Sequence, residues 1–211
     1  MTLRQQLGVV SGAIVALAVA GFIITRTNKD ELFPVTLGSR APGFSARALD
    51  GSGAARTLAN YKGKIVLLNV WATYCVPCKV EMPSFERLHQ KYGTRGLAIV
   101  AVSIDAPGKE KEILAFAKKL GLSFEIVHDA EGNIQTQYQT TGVPESFVID
   151  TNGVIVRKVI GAEDWMSGAN QALIASLLGV PLTGAAAMPD SGRAIDTLIG
   201  AYQPSSKKGA R

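Results

Sequence analysis

The sequence predicts an α/β domain built on a mixed β-sheet, and three of its features lead to that fold class. Two continuous apolar runs, 65–71 and 97–104, have the length and composition of strands that are buried on both faces. Each run is followed by a segment whose apolar residues recur at helical spacing. The chain then shows a strand–turn–strand signature and one more helical segment. Alternating strands and helices that end in a hairpin predict a sheet of parallel and antiparallel strands flanked by helices.

The elements around the two apolar runs follow from local signals. A turn signature at 50–53 separates two short segments, 44–49 and 55–58, and predicts an N-terminal β-hairpin. The first helix is predicted over 76–92, and Pro83 should kink it because the proline ring displaces one backbone hydrogen bond. The other predicted elements are a helix over 109–120, a strand over 124–127, a helical turn over 134–138, a hairpin in which 154–160 pairs back onto 142–150, and a closing helix over 165–178.

The N-terminal segment 7–25 carries no charge and consists mostly of Val, Ala, Ile, Leu and Gly. As a helix it would span roughly 28 Å, which is enough to cross a bilayer. A cleaved signal peptide is the rival interpretation, because Ala18-Val19-Ala20 fits a small-residue cleavage site. The apolar run continues through 22–24, past that site, so the sequence favours an uncleaved transmembrane anchor in the lipid bilayer.

The remaining segments differ in composition and give the domain boundaries. Residues 1–6 form the N-terminal end, 26–40 a polar linker, 41–179 one globular domain, and 180–211 a tail rich in Gly, Ala, Ser and Pro that we expect to be disordered. The formal net charge of +5 is modest, and no basic stripe with interleaved aromatic residues is present. The sequence therefore does not indicate nucleic-acid binding.

The two cysteines of the chain, Cys75 and Cys78, lie together where the first buried strand is predicted to turn into a helix. A helix N-terminus leaves backbone N–H groups unpaired and carries the positive end of the helix dipole. Both effects favour the thiolate, which is the form of cysteine that attacks disulfides. A disulfide between these cysteines would enclose so few residues that it would constrain little of the chain. The pair is therefore predicted to be redox-active, with no cofactor, rather than a structural staple.

Two other functions could use the same thiols and stay open as alternatives. In a copper or zinc carrier both thiols would be metal ligands, but neither His89 nor His128 has a convincing ligand partner in the sequence. A peroxiredoxin-like antioxidant usually shows a Thr-x-x-Cys pattern. Here only one residue separates Thr73 from Cys75, so that pattern is missing.

The motif resembles a known family. Residues 71–78, Trp-Ala-Thr-Tyr-Cys-Val-Pro-Cys, followed by Glu-Met-Pro at 81–83, resemble the active site of the TlpA/ResA-like (CcmG/DsbE-related) thiol:disulfide oxidoreductases. These are membrane-anchored members of the thioredoxin superfamily. The segment 142–145, Gly-Val-Pro-Glu, resembles the cis-proline loop of that family. The resemblance covers about residues 38–178, including the N-terminal hairpin and a helix–strand insertion between 105 and 128.

The resemblance implies a thioredoxin-like fold and work as a reductant of protein disulfides outside the cytoplasm. Relatives reduce the cysteines of apocytochrome c before haem attachment, or the disulfides of copper-assembly proteins. By the same resemblance we expect a single-pass protein of the bacterial inner membrane, with its N-terminus inside and its catalytic domain in the periplasm. A reductant at that location must be recharged, so a membrane thiol electron donor is expected as a second partner.

The resemblance also implies the roles of the cysteines. Cys75 is the expected nucleophile, and its attack on a substrate disulfide gives a mixed disulfide. Cys78, one helical turn further along, then attacks Cys75, releases the reduced substrate and leaves a Cys75–Cys78 disulfide. Pro77 pre-sets the helical φ between the two cysteines.

Three further residues are expected near the disulfide. Pro144 should follow a cis peptide bond and lie against the disulfide, with an ordinary turn proline as the alternative. A cis bond there would leave the backbone groups of Val143 free to pair with an extended substrate. Trp71 is expected to pack beside the disulfide, although core packing alone would also explain it.

Two glutamates complete the predicted site. Glu81 should share the helix face of Cys78, where a partly buried carboxylate would raise thiol pKa values by like-charge repulsion or relay a proton. A solvated helix glutamate is the alternative. Glu145, next to the proline, would tune the site or contact the substrate, or else be a surface charge at a strand end.

Overall fold

The computed structural model describes residues 11–22 and 35–182. Within the second range, the strands join into one seven-stranded sheet. In chain order the strands are β1 (Ser45–Ala48), β2 (Ala55–Thr57), β3 (Ile65–Trp71), β4 (Leu97–Ser103), β5 (Glu125–His128), β6 (Glu145–Ile149) and β7 (Ile155–Ile160).

The sheet is mixed, as the sequence predicts, with spatial order β2-β1-β5-β4-β3-β6-β7. Strands β3, β4 and β5 are parallel to one another. Every other neighbouring pair in this sheet is antiparallel, including the β1–β2 and β6–β7 hairpins. The long strands β3 and β4 are therefore central, which explains why their sequences are continuously apolar.

The helices of residues 35–182 cover the two faces of this sheet. They are α1 (Val76–Tyr92), α2 (Glu110–Leu120), α3 (Asn133–Gln137) and α4 (Gly168–Leu178), with 3-10 turns at Leu58–Tyr61 and Gly93–Arg95. The predicted N-terminal hairpin, first helix and α2 with its glycine stop are confirmed. Gly121 caps α2 in the left-handed region, at φ 64°, a conformation that costs glycine little because it has no Cβ.

Strand β3 divides the core into two layers because its side chains alternate. Ile65, Leu67 and Trp71 lie in one buried cluster together with α1 residues such as Phe85 and Leu88. The alternate side chains of β3 are Val66, Leu68 and Val70. They lie in a second cluster on the opposite face, together with residues of α3, β6 and β7. Both faces of β3 are thus buried. This burial sets the register of the strand and so the position of its last residue, where the cysteine motif begins.

Several boundaries differ from the sequence prediction by a residue or more, and two of the differences have a clear structural cause. The closing helix begins at Gly168 and not at Trp165, because Ser167 caps it by accepting a hydrogen bond from the Asn170 N–H. The second difference lies at 35–40, which the sequence assigns to the linker. This segment packs on the domain: Val35 is buried, and two backbone hydrogen bonds join 38–39 to Ile155.

The N-terminal predictions fall mostly outside the described residues. Residues 11–22 are helical. Among the described residues, none of the helices has both the length and the apolar content that a bilayer crossing needs. The predicted N-terminal end at 1–6, the rest of the predicted anchor and linker at 7–10 and 23–34, and residues 183–211 of the predicted tail lie outside the described residues.

Candidate active site

The cysteine motif forms the junction between β3 and α1. Cys75 is the N-cap of α1, and its sulfur accepts a hydrogen bond from the Cys78 N–H at 3.1 Å. Pro77 lies in the first turn, where a proline costs no hydrogen bond because the N–H there has no partner within the helix. The sulfur of Cys75 therefore sits at the positive end of the α1 dipole, as the sequence predicts.

Cys75 and Cys78 are joined by a disulfide, with 5.3 Å between their Cα atoms. The two sulfurs differ in accessibility, since Cys75 is 5% exposed and Cys78 is fully buried. Cys75 is therefore the cysteine that an incoming thiol or disulfide meets first. This asymmetry is what an attacking and a resolving cysteine require.

The proline loop lies beside the end of β3. The Val143–Pro144 peptide bond is cis, which confirms that prediction. Glu145 pairs with Val70 in the β3–β6 register, so Pro144 stands next to the strand end from which the cysteine turn departs. The Pro144 carbonyl accepts a hydrogen bond from Gly161, whereas within residues 35–182 the Val143 backbone makes none. That N–H and C=O are available to an extended chain laid across the site.

Trp71 is fully buried in the same apolar cluster as both cysteines. Its ring packs on Phe116 of α2, with 4.9 Å between ring centroids. The tryptophan thus connects β3 to α2 in the core, which is the core-packing role that the sequence allowed for it.

Glu81 lies on α1, one turn after Cys78, and is buried. It is therefore not the solvated glutamate of the alternative prediction. Its carboxylate accepts hydrogen bonds from the Asn69 side chain at 3.0 Å and from the Glu163 N–H at 3.3 Å. Burial raises the pKa of Glu81 to about 7, and these two neutral donors offset only part of that effect. The carboxyl group can therefore gain or lose a proton near neutral pH.

Glu145 is fully buried, so the predicted surface charge at a strand end is wrong. One carboxylate oxygen lies 2.9 Å from Lys158 Nζ, and the other accepts the Thr141 N–H at 3.0 Å. The sequence could not show this because the partner comes from the next strand of the hairpin. A side chain held in this way cannot reach a substrate surface, but it fixes the residue that follows the cis proline.

Several apolar side chains near the cysteine turn and the proline loop are exposed. Tyr74 and Val76 flank Cys75 and are each about two-thirds exposed, at 66% and 68%. Val80 is exposed one turn along α1, and Ile160 is exposed next to the residue that bonds Pro144. Such a patch is what a protein surface offers to another polypeptide.

Two polar residues near the site were missed at the sequence level. Asp105 follows β4 and accepts hydrogen bonds from Thr73 in the cysteine turn. Asn69 lies inside the apolar β3 run and bridges Glu81 to Ser146. A polar residue within a buried strand, and an acid directly after one, were the signals that could have found them.

In a metal carrier the two thiols would be ligands alongside other side chains. Across residues 11–22 and 35–182, no three His, Cys, Asp or Glu side chains come together as a metal site would require. His128, one of the two histidines considered, contacts the Asp105 carbonyl and the Glu110 carboxylate instead.

Comparisons with known proteins agree with this geometry. The AhpC/TSA family profile matches residues 37–158. Thioredoxin-like protein YneN of Bacillus subtilis is 38% identical over 67% of this chain and 82% of its own length. Thiol-disulfide oxidoreductase ResA of Geobacillus kaustophilus is 36% identical over 75% of this chain and 90% of its own length.

Solved structures give the same result. A candidate thiol:disulfide interchange protein DsbE from Chlorobium tepidum superposes with a TM-score of 0.62 and 28% identity, covering 68% of this chain and 99% of its own. StoA from Bacillus subtilis superposes with a TM-score of 0.50 and 26% identity, covering 59% and 91% of the two chains. The chain therefore belongs to the AhpC/TSA family, as a thioredoxin-like thiol-disulfide oxidoreductase of the ResA/DsbE type whose redox disulfide joins Cys75 and Cys78.

Proposed function

We propose that this oxidoreductase is a membrane-tethered reductant of protein disulfides that works outside the cytoplasm. One observation carries the proposal: exposed apolar side chains flank Cys75, the more exposed cysteine of the pair, and the cis-proline loop beside the end of β3 contains Val143, whose backbone makes no hydrogen bond within residues 35–182. Apolar side chains and backbone groups recognise an extended polypeptide, whereas a small disulfide would use few of them. The substrate is therefore a protein.

The reaction transfers two electrons to that protein. In the reduced enzyme the Cys75 thiolate attacks one sulfur of the substrate disulfide, so the substrate S–S bond breaks and a mixed disulfide forms. The departing substrate thiolate takes up a proton. The Cys78 thiolate then attacks the Cys75 sulfur, the mixed disulfide breaks, and the second substrate thiol leaves. The enzyme ends with the Cys75–Cys78 disulfide, and the substrate ends with two thiols.

Glu81 is proposed to supply or receive the proton during this exchange. Its pKa of about 7 makes both protonation states accessible at neutral pH. When ionised, its charge also opposes formation of a second negative charge at the buried Cys78, which lies one helical turn away. Replacement of Glu81 by Gln should alter the thiol titration and slow the exchange. Unchanged titration and unchanged rate would remove Glu81 from the mechanism.

The location and partners are further parts of the proposal. Segment 7–25 would anchor the chain in the bacterial inner membrane, with the domain in the periplasm, and the apolar composition of this segment supports the anchor. The substrate would be apocytochrome c or a copper-assembly protein, by resemblance to the family. A membrane thiol electron donor would return the pair to the dithiol form after each turnover.

The decisive experiment traps the mixed disulfide in cells. A full-length Cys78→Ser variant lacks the resolving thiol, so its Cys75 should remain bound to the substrate through a disulfide that survives alkylation. Mass spectrometry of the reductant-sensitive adduct identifies the protein. The Cys75→Ser variant is the matched control and should give no adduct.

The same preparations separate the alternatives. A retained stoichiometric copper or zinc ion without reductase activity would support a metal carrier, and consumption of hydrogen peroxide by Cys75 without protein adducts would support an antioxidant.

A membrane-impermeant maleimide should label Cys75 of the Cys78→Ser variant in intact spheroplasts. Labelling only after lysis would contradict the periplasmic location. In cells that lack the membrane donor, the wild-type pair should accumulate as the disulfide, and a pair that stayed reduced would contradict that partner.

A further inference from the structure

The turn at 72–75 determines where the sulfur of Cys75 lies. This turn connects the end of β3 to the start of α1 in four residues. Inside the turn, the Cys75 N–H donates to the Ala72 carbonyl at 3.1 Å, and beyond it the Cys78 N–H donates to the Cys75 sulfur at 3.1 Å. Any displacement of the turn therefore moves the sulfur away from the N–H groups that stabilise its thiolate.

Asp105 holds this turn at Thr73, outside the cysteine motif. The Thr73 N–H donates to Asp105 Oδ2 at 2.9 Å, and the Thr73 hydroxyl donates to Asp105 Oδ1 at 2.6 Å. Both carboxylate oxygens are thus bonded to one residue of the turn. Hydrogen bonds to an ionised carboxylate are among the stronger ones in proteins, particularly when the group is buried. Asp105 is only 3% exposed.

The parallel β3–β4 register brings the two residues together. Trp71 pairs with Ser103 at the ends of the two strands, and Thr73 and Asp105 each lie two residues beyond that pair. At the carboxyl edge of a parallel sheet such residues lie side by side. The contact therefore follows from the topology of the sheet and not from proximity in sequence.

Asp105 is itself fixed from two directions. The Ser103 hydroxyl donates to Asp105 Oδ2 at 2.7 Å and also accepts the Asp105 N–H at 3.1 Å. On the other side, His128 Nε2 lies 2.8 Å from the Asp105 carbonyl, and it must carry the proton because a carbonyl oxygen can only accept. The second ring nitrogen, Nδ1, lies 3.3 Å from Glu110 at the start of α2. The carboxylate is therefore preorganised before it binds the turn.

We propose that Asp105 is a positioning residue for the reaction and acts on Cys75 through Thr73. It keeps the turn in the conformation in which the Cys75 sulfur meets the first N–H groups of α1, and so stabilises the thiolate of the reduced enzyme. The inference rests on the assignment of Cys75 as the attacking cysteine in the proposed function.

The test uses the Cys78→Ser background, in which Cys75 is the only thiol of the chain. Thr73→Val removes the hydroxyl donor at nearly constant shape and leaves the Asp105 charge in place, whereas Thr73→Ser keeps the hydroxyl. The readout is the rate of Cys75 alkylation by iodoacetamide as a function of pH. We expect Thr73→Val to react roughly threefold to tenfold more slowly at neutral pH, with its midpoint moved upward, and Thr73→Ser to match the parent.

A matched control removes a threonine hydroxyl far from the site. Thr57 Oγ1 lies 3.0 Å from Asn60 Oδ1 beside the edge strand β2, so Thr57→Val loses a comparable contact. It should leave the alkylation profile unchanged. A purely structural loss at Thr73 would lower the melting temperature without moving the pH midpoint, so the midpoint distinguishes positioning from stability.

Asp105 variants complete the test. Asp105→Ala should slow alkylation more than Thr73→Val, and Asp105→Asn should lie between them because its amide oxygen still accepts the Thr73 N–H. The proposal is overturned if Thr73→Val matches Thr73→Ser in rate and midpoint, or if Asp105→Asn lowers the midpoint while Thr73→Val leaves it unchanged. Alkylation requires no protein substrate. A failure of the reductant function would therefore appear only in the trapping experiment, and a failure of this inference only here.

Discussion

Two buried glutamates near the disulfide, Glu81 and Glu145, are compensated in opposite ways. Each is almost inaccessible, at 2% and 0% exposure. Glu145 lies against the ammonium group of Lys158 at 2.9 Å. The donors to Glu81 are neutral: the Asn69 side chain, the Glu163 N–H and the Trp165 side chain. Equal burial of the same residue type thus gives one charge that is paired and one that is not.

The difference shows how burial can serve either structure or chemistry. A buried carboxylate with a cation beside it has a charged partner and fixes the local backbone, here the residue after the cis proline. A buried carboxylate without a cation keeps a pKa near 7 and remains able to exchange a proton. We therefore assign Glu145 to the scaffold and Glu81 to the chemistry, and the predictions below test that division.

The largest expected effect comes from removing the cation. Lys158→Met keeps most of the aliphatic volume but leaves the Glu145 carboxylate buried without its partner. We expect the free energy of unfolding at neutral pH to fall by about 3 kcal/mol or more, as for other buried ion pairs that lose one member. Urea denaturation measures the change. Lys118→Met, on the exposed side of α2, is the control and should stay within about 0.5 kcal/mol of wild type. A loss at Lys158 no larger than the control would show that Glu145 does not need the cation.

The next effect concerns the pH dependence of stability. The folded pKa of Glu81 is raised from 4.5 to about 7, so the folded state binds this proton more tightly than the unfolded state does. The contribution of Glu81 to stability is therefore fully present below about pH 4.5 and is lost as the pH rises through about 7, by roughly 3 kcal/mol in total. Glu81→Gln should remove this slope and become more stable than wild type above neutral pH.

Urea titrations at intervals from about pH 5 to about pH 8 measure that slope. Glu131→Gln, at an exposed position, is the control and should retain the wild-type slope. Equal slopes for wild type and Glu81→Gln would mean that Glu81 is not the uncompensated group.

The sequence predicts the fold because each central element has a strong local signal. The β3 run is apolar except for Asn69 since both faces are buried, and the motif around Cys75 marks the strand-to-helix turn on its own. Cys75, Cys78 and Pro144 were found because each belongs to a short motif. Their chemistry depends on neighbours in sequence, which a single chain displays directly.

The partners of the buried charges could not be predicted in this way. Lys158 meets Glu145 because the β6–β7 hairpin aligns the two strands. Asp105 meets Thr73, which is 32 positions away in the sequence, because β3 and β4 pair in parallel. Charged residues that follow or end a strand look solvated until the register shows which neighbour they meet. The start of α4 was misplaced for a similar reason, because the Trp165 N–H is held by the Ser84 side chain on a different helix.

A smaller effect is expected from the neutral donor of Glu81. Asn69→Ala removes the amide that bonds its carboxylate, so the pKa of Glu81 should rise further, and stability should fall by about 2 kcal/mol at neutral pH. The carboxyl titration of Glu81, followed by carbon-13 NMR, measures the shift. Ser146→Ala is the control because it removes the other contact of the Asn69 amide and leaves the donor to Glu81 in place. A shift in both variants would indicate a general loosening instead of a lost donor.

The smallest expected effect tests whether the charge of Glu163 contributes to the pKa of Glu81. Glu163 raises the pKa of Glu81 by charge repulsion, although burial is the dominant cause. Glu163→Gln removes that charge and leaves its backbone N–H donor to Glu81 intact. It also frees the Arg157 guanidinium from its carboxylate partner. Both changes favour the ionised form of Glu81, so its pKa should fall by a few tenths of a unit, roughly 0.5 kcal/mol or less.

The neighbouring residue provides the control for that small shift. Asp164 carries the same charge one position further along and lies 3.9 Å from Arg87 at the surface, where water and salt screen it. Asp164→Asn should therefore leave the carbon-13 titration of Glu81 unchanged, and added salt should reduce the effect of Glu163→Gln only slightly. If both variants shifted the titration equally, Glu81 would be responding to net surface charge. The division between the two buried glutamates would then depend on solvent access and not on which charge each one meets.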